Sequence, residues 1–244
     1  MARQRLAFWL MISLSFGTGA LDAATYLGMD RVFGANMTGN VILVGLSVAG
    51  SEHIELLGPL AALAGFAAGS FVLGLILRRF PPPDGRDPAL IPVFWTTAAG
   101  MLAVTVVLYV LPMHEVLMHA MTLAIGILMG FQAIAARRVG VPDVSTVVIT
   151  STLSLLFSEA GHFWGGGKTA ATMRRFAAVA SMFLGAVCGA LLLHLTLWSA
   201  MLVPTFILLC VALAFSLARR QRVKKTGPSR ELVPQHLLNS LSEG

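Results

Sequence analysis

The chain has 244 residues, of which 57% are apolar and only 11% charged, with a formal net charge of +6. A soluble domain is about 45–50% apolar and about 25% charged. A soluble globular enzyme, a disordered chain and a disulfide scaffold are therefore excluded, and an all-α, polytopic membrane protein is expected. The basic residues fall in loops and in the tail, so the charge points to a lipid bilayer surface and not to nucleic acid. Cys188 and Cys210 lie inside apolar runs and read as small hydrophobes, with no metal site or redox pair expected.

Six runs are long enough to cross about 30 Å of hydrocarbon at about 1.5 Å per residue. They are 6–29, 56–77, 90–111, 116–136, 175–197 and 199–218. Two shorter runs, 35–50 and 146–158, are either re-entrant or extra crossings. The first run resembles a signal peptide, but it continues past the cleavage point and five spans follow, so it reads as a span. With six crossings every Lys and Arg except Arg31 falls on one side, which the positive-inside rule makes the cytoplasm. With eight crossings that asymmetry is largely lost. Both termini are then cytoplasmic in a bacterial inner membrane, run 35–50 enters from outside and run 146–158 from inside. Trp9, Tyr26, Tyr109 and Trp198 lie near span ends, where amphipathic rings settle.

The two halves resemble each other. At an offset of 112, LDAATYLGMDRVFGANMTGNVIL (21–43) lies over AIAARRVGVPDVSTVVITSTLSL (133–155). At an offset of 120, GFAAGSFVLGLIL (65–77) lies over GAVCGALLLHLTL (185–197), and the shift fits an insertion around HFWGGGK (162–168). LIPVF (90–94) lies over LVPTF (202–206) at 112 again. Each half reads long, short, long, long. Three crossings per half is an odd number, so the second half is inverted. The expected fold is six transmembrane helices as two inverted three-helix repeats, each with a short re-entrant helix. Residues 1–5 form the N-terminus, 6–111 repeat one, 112–218 repeat two and 219–244 a basic cytoplasmic tail.

Asp22 is the only acidic residue inside the six estimates. An ionisable residue at membrane depth costs about 2.5–3.5 kcal/mol on insertion scales, so it should face a cavity or a partner. It is either a cation or proton site, or a carboxylate paired with Arg31 or with a backbone N–H. Asn36, Thr38 and Asn40 form a polar set in ANMTGN. They either line a site where the short run turns, or cap the short helix and tie it to span one. The counterpart set is Ser145, Thr146, Thr150, Ser151 and Thr152, which faces those amides if the short runs meet near the midplane. The plainer reading is hydroxyls bonded back to their own helix. Gln132 is a polar residue within span four. Arg137 and Arg138 read as an anchor at the end of that span, and Asp143, after Pro142, as a cap. A gating pair between Asp143 and one of these arginines is the sharper alternative.

Other motifs fail. GGGKT (165–169) resembles a phosphate loop, but His162 stands where a glycine is needed and no strand precedes it. No histidine pair has zinc spacing, and no catalytic dyad is legible, so neither an enzyme nor a cofactor is expected. GxxxG occurs at Gly65/Gly69, Gly126/Gly130 and Gly185/Gly189. It signals close helix contact, either within the chain or in a homo-oligomer.

The stretch GALDAATYLGMDRVFGANMTGNVILVGL (19–46) resembles the signature of the YoaK-like family of bacterial membrane proteins. MGFQAIAARRVGVPDVSTVVITSTL (129–153) resembles that family's second signature. The resemblance implies about six spans in the inner membrane, and it supplies no substrate, reaction or catalytic residue. The repeat and its polar short runs point to a transporter or channel-like permease for a small polar solute or ion. The alternative is a non-transporting assembly or sensor partner that uses its GxxxG faces.

Overall fold

The computed structural model describes residues 2–29, 31–51, 54–80, 89–140, 149–158 and 169–225. Every element among them is an α-helix, as an apolar solvent requires: lipid offers backbone groups no partner, so each segment must satisfy its own. In chain order these are α1 (Ala2–Gly28), α2 (Met37–Val48), α3 (Leu57–Arg78) and α4 (Leu90–Val110), then α5 (Glu115–Val139), α6 (Ile149–Ser158), α7 (Thr169–Leu193) and α8 (Leu197–Lys225). Six are long and apolar enough to cross a membrane. α2, at 12 residues, rises only about 18 Å, and α6 is shorter still.

The ends follow local chemistry. α5 runs through Arg137 and Arg138, three residues beyond the apolar run, and stops at Gly140, whose φ of 66° is left-handed. α7 ends four residues before the apolar run does. His194 and Leu195 turn their N–H groups back onto Leu191 and Leu192, and α8 begins at Leu197. α2 closes with Gly50 at φ 85°, where the Gly50 N–H reaches Ser47 O and the Ser51 N–H reaches Leu46 O.

The chain divides at Ala212 into two compact units. The second, as far as it is described, is the basic end of α8. In the first, the most extensive packing joins α3 to α5 and α1 to α7. Glycines allow both contacts. A Cβ on Gly65 or Gly69 would strike the carbonyl of Leu123 or Ile127, and one on Gly126 or Gly130 would come within 2.6 Å of Ala62 O or Phe66 O. Along both helices the contacting numbers rise together, so α3 and α5 run parallel. The same holds for α1 and α7. Gly19 lies on the carbonyl of Met182, and Gly185 and Gly189 lie on those of Phe16 and Ala20. Ser181 Oγ donates to Ile12 O at 2.9 Å one turn away. All six GxxxG glycines are thus used inside the chain.

α1 and α5 run antiparallel. Gln132 meets Thr18 at one level, while Leu21 and Ile125 both flank Gly34 at another. α4 and α8 are antiparallel too: Tyr109 packs edge-on against Trp198, and further along the Thr105 and Thr205 hydroxyls lie 2.9 Å apart. Glu55 and His119, 3.7 Å apart, mark the N-terminal ends of α3 and α5. Arg138 donates to Phe80 O at 2.8 Å at their C-terminal ends.

Candidate functional site

α1 carries a buried polar stripe. Ser15, Thr18, Asp22 and Thr25 recur at intervals of three and four and are all nearly inaccessible. Ser15 and Thr18 donate back to Met11 O and Leu14 O, and Thr25 to Leu21 O. Thr18 Oγ1 also accepts from Gln132 Nε2 at 3.3 Å, across the α1–α5 interface. A closed crevice, without room for a water molecule, lies beside this pair, lined by Thr18, Gln132, Leu21, Met129, Pro204 and Ile207. Pro204 sits inside α8 and has no N–H to give Ala200 O, so the helix wall is weakest there.

Above the pair, the stripe holds the connection from α1 to α2. Four consecutive backbone N–H groups point at side chains. Phe33 donates to Asn40 Oδ1 at 2.9 Å and Gly34 to Thr25 Oγ1 at 2.9 Å. Ala35 and Asn36 both donate to Asp22 Oδ1, at 2.7 and 3.2 Å. Asn40 completes a reciprocal pair by donating Nδ2 to Phe33 O at 2.7 Å. Phe33 stacks on Tyr26 with centroids 4.7 Å apart, and Gly39 leaves room for the other side of its ring. An irregular segment has no ladder of its own, so side chains must supply acceptors that water cannot. Asp22 lies six residues before the end of α1, about 9 Å along the helix. The connection therefore dips back alongside α1 before α2 begins.

Asp22 has a carboxylate oxygen to spare. Oδ2 is buried and accepts no hydrogen bond among the described residues.

Among the sequence-derived candidates, Asp22, Asn36 and Asn40 converge on this turn, with Thr25 as the member that was missed. Asn36 caps α2 by accepting from Gly39 N at 3.3 Å. Asn40 is fully buried and uses its amide on Phe33. Thr38 is exposed, away from the cluster. Arg31 is exposed in a left-handed conformation, φ 54°, and the partners of Asp22 are backbone N–H groups instead of this arginine. Gln132 joins the stripe one turn of α1 below Asp22. Thr152 is buried on α6. Asp143, Ser145 and Thr146 lie outside the described residues, as do the side chains of Thr150 and Ser151. Arg137 is exposed, and Arg138 braces the end of α3. No group of three or more metal-ligating side chains occurs among the described residues. The spacing 15, 18, 22, 25 is the signal that could have found Thr18 and Thr25.

Six apolar spans around a buried polar stripe define a multi-pass α-helical membrane protein. The chain belongs to the DUF1275 family, proteins of unknown function, whose model matches residues 10–214. It is also similar to the UPF0700 transmembrane protein YoaK of Bacillus subtilis (strain 168), with 30% identity over 153 residues. That match covers 62% of this chain and 65% of YoaK, just under two thirds of the relative's length. No solved structure matches.

Proposed function

We propose that this protein is a small-solute or ion permease of the bacterial inner membrane, with both termini in the cytoplasm. The observation that carries the reading is Asp22 Oδ2, a buried carboxylate oxygen that accepts no hydrogen bond among the described residues. A group that costly is retained where it meets a solute, a cation or a proton. Thr18 and Gln132 extend the same polar stripe to the closed crevice against Pro204, and this stripe is the proposed path. Asn36, Asn40 and Thr25 hold the turn that presents Asp22. Thr38, Thr146, Thr150 and Thr152 complete the site only if α6 approaches α2 near the midplane. In that arrangement Arg31 stands at the outer mouth, and Asp143 gates the inner one with Arg137 or Arg138.

The proposed architecture is two inverted three-span repeats, each with a short helix that enters and leaves by one face. Helix directions support this. If α2, α3 and α4 all crossed, α5 would run parallel to α1, but the two are antiparallel. α2 is the short one, so it is the helix that turns back. α7 runs with α1 and hence against α5, so α6 does not cross either. The glycine contacts support the repeat. Gly130 lies on Phe66 O as Gly19 lies on Met182 O, and Gly69 on Ile127 O as Gly185 on Phe16 O. These pairs relate α1 to α5 by an offset of 111 and α3 to α7 by 116. The letter-based offsets of 112 and 120 differ from these by one residue and by about one helical turn. Apolar helices resemble one another enough to slide.

The alternative, an assembly or sensor partner, drew on free GxxxG faces, and those faces close within the chain.

The test is a thermal-shift screen of purified protein against amino acids, sugars, ammonium and alkali cations. Asp22→Asn and Gln132→Leu run alongside. A ligand at a hundred times its Kd adds about 2.7 kcal/mol of apparent stability. The expected result is a saturable shift that both variants abolish, followed by uptake of that solute into proteoliposomes. A flat screen and no uptake by folded wild-type protein refute the reading.

A further inference from the structure

A second site lies at the C-terminal ends of α3 and α5. These helices are parallel and closely packed, so their ends emerge together. α3 ends with Arg78 and Arg79, both exposed. α5 ends with Arg137, exposed, and with Arg138, whose Nη2 donates to Phe80 O at 2.8 Å. That bond fixes the two ends to each other. The guanidinium groups of Arg78, Arg79 and Arg137 have no partner among the described residues. Three cations without a partner among the described residues, on helix ends joined by one bond, exceed what two helix dipoles need, since each terminus carries about half a negative charge.

The surface beside them is apolar and exposed. On α3, Leu75 and Phe71 lie one and two turns before Arg78 and Arg79. Val72 and Ile76 continue that face to Phe80. Cationic heads at the end of a lipid-facing apolar stripe match an amphiphile with an anionic head and two acyl chains. Free phosphate or a nucleotide would use only the arginines and leave the stripe idle.

We propose that the α3–α5 end is a binding site for an acidic phospholipid. Arg78, Arg79 and Arg137 take the phosphodiester, and Phe71, Leu75 and Ile76 take an acyl chain. The Arg138–Phe80 bond ties together the helix ends that carry the three arginines. Arginine suits this duty because its planar fork matches two phosphate oxygens at once.

The experiment uses the full chain in mixed micelles, with bound lipid read by native mass spectrometry. The probes are phosphatidylglycerol, phosphatidylcholine and soluble glycerol phosphate. Wild-type protein should retain phosphatidylglycerol in preference to phosphatidylcholine, and glycerol phosphate should not displace it. Each juxtamembrane cation contributes about fivefold in affinity, so R78Q/R79Q/R137Q should lose about a hundredfold. Single R137Q, far from the packed core, should lose about fivefold with unchanged thermal stability. R78K/R79K/R137K should keep part of the binding. Equal phosphatidylglycerol retention by wild type and the triple Gln variant overturns the proposal. So does displacement by glycerol phosphate at matched concentration, which would make the site a phosphate site without a lipid chain.

Discussion

Asp22→Ala tests the turn between α1 and α2 directly. The substitution removes the acceptor for the Ala35 and Asn36 N–H groups and leaves both donors part-buried. A made hydrogen bond contributes about 1 kcal/mol net, and an orphaned buried donor costs about 1–3 kcal/mol. The Ala35 bond is short and shielded, and the Asn36 bond is longer on an exposed residue. The sum is a loss of about 2–4 kcal/mol. Asp22→Asn keeps a carbonyl oxygen in the place of Oδ1, so its loss should be about 1 kcal/mol or less. Denaturation in mixed micelles reads the stabilities, and hydrogen exchange reads the two amides. Ala35 and Asn36 should be protected in wild type, largely protected in Asp22→Asn and fast in Asp22→Ala. Wild-type stability and protected amides in Asp22→Ala would refute the assignment of Asp22 as the anchor. Equal damage in both variants would mean that the charge, and not the acceptor geometry, holds the turn.

Other consequences are equally direct. Asn40→Ala breaks the reciprocal pair with Phe33 and should cost about 2–3 kcal/mol by the same denaturation, whereas exposed Thr38→Ala should cost less than about 0.5 kcal/mol. Gly69→Ala and Gly185→Ala force Cβ atoms into a neighbouring backbone and should each destabilise by about 1–3 kcal/mol. Gly74→Ala meets open space and should stabilise by up to about 1 kcal/mol. A double-mutant cycle on Thr105→Val and Thr205→Val should give a coupling of about 0.6 kcal/mol. With Cys188 and Cys210 replaced by Ser, single cysteines at exposed Arg31 and Ser51 should be labelled by a membrane-impermeant maleimide from the same side of the bilayer. Labelling from opposite sides would show that α2 crosses.

The six spans were legible because hydrophobic length is a property of residue type alone. The short helices were legible for the same reason, since the runs 35–50 and 146–158 are shorter than the other six. Asp22 stood out because a carboxylate in an apolar run is costly. That a backbone N–H could be its partner was legible, but which ones was not. They are backbone N–H groups thirteen and fourteen residues on, and every residue but proline carries that group. Of the two partners open in the sequence, Arg31 is exposed, while the backbone that follows it folds inward onto Asp22. Thr18 and Thr25 were hidden for another reason. Hydroxyls in membrane helices commonly bond their own preceding turn, as both do here, and that habit masks the second bond each makes.

The anchoring duty of Asp22 also sharpens the functional question. A residue that only held the turn could do so with an amide at a loss of about 1 kcal/mol or less, because the acceptor is Oδ1 and Oδ2 accepts no hydrogen bond among the described residues. Asparagine would then be the cheaper choice at membrane depth, sparing the cost of an ionisable group. In the proposed permease the carboxylate acts through Oδ2, the oxygen that accepts no hydrogen bond among the described residues. Asp22→Asn separates the two duties. It preserves the acceptor for Ala35 and Asn36, so a folded variant with normal amide protection and no solute response isolates the contribution of the second oxygen. A folded variant that still responds assigns recognition to Thr18 and Gln132 alone, and leaves Asp22 as an anchor.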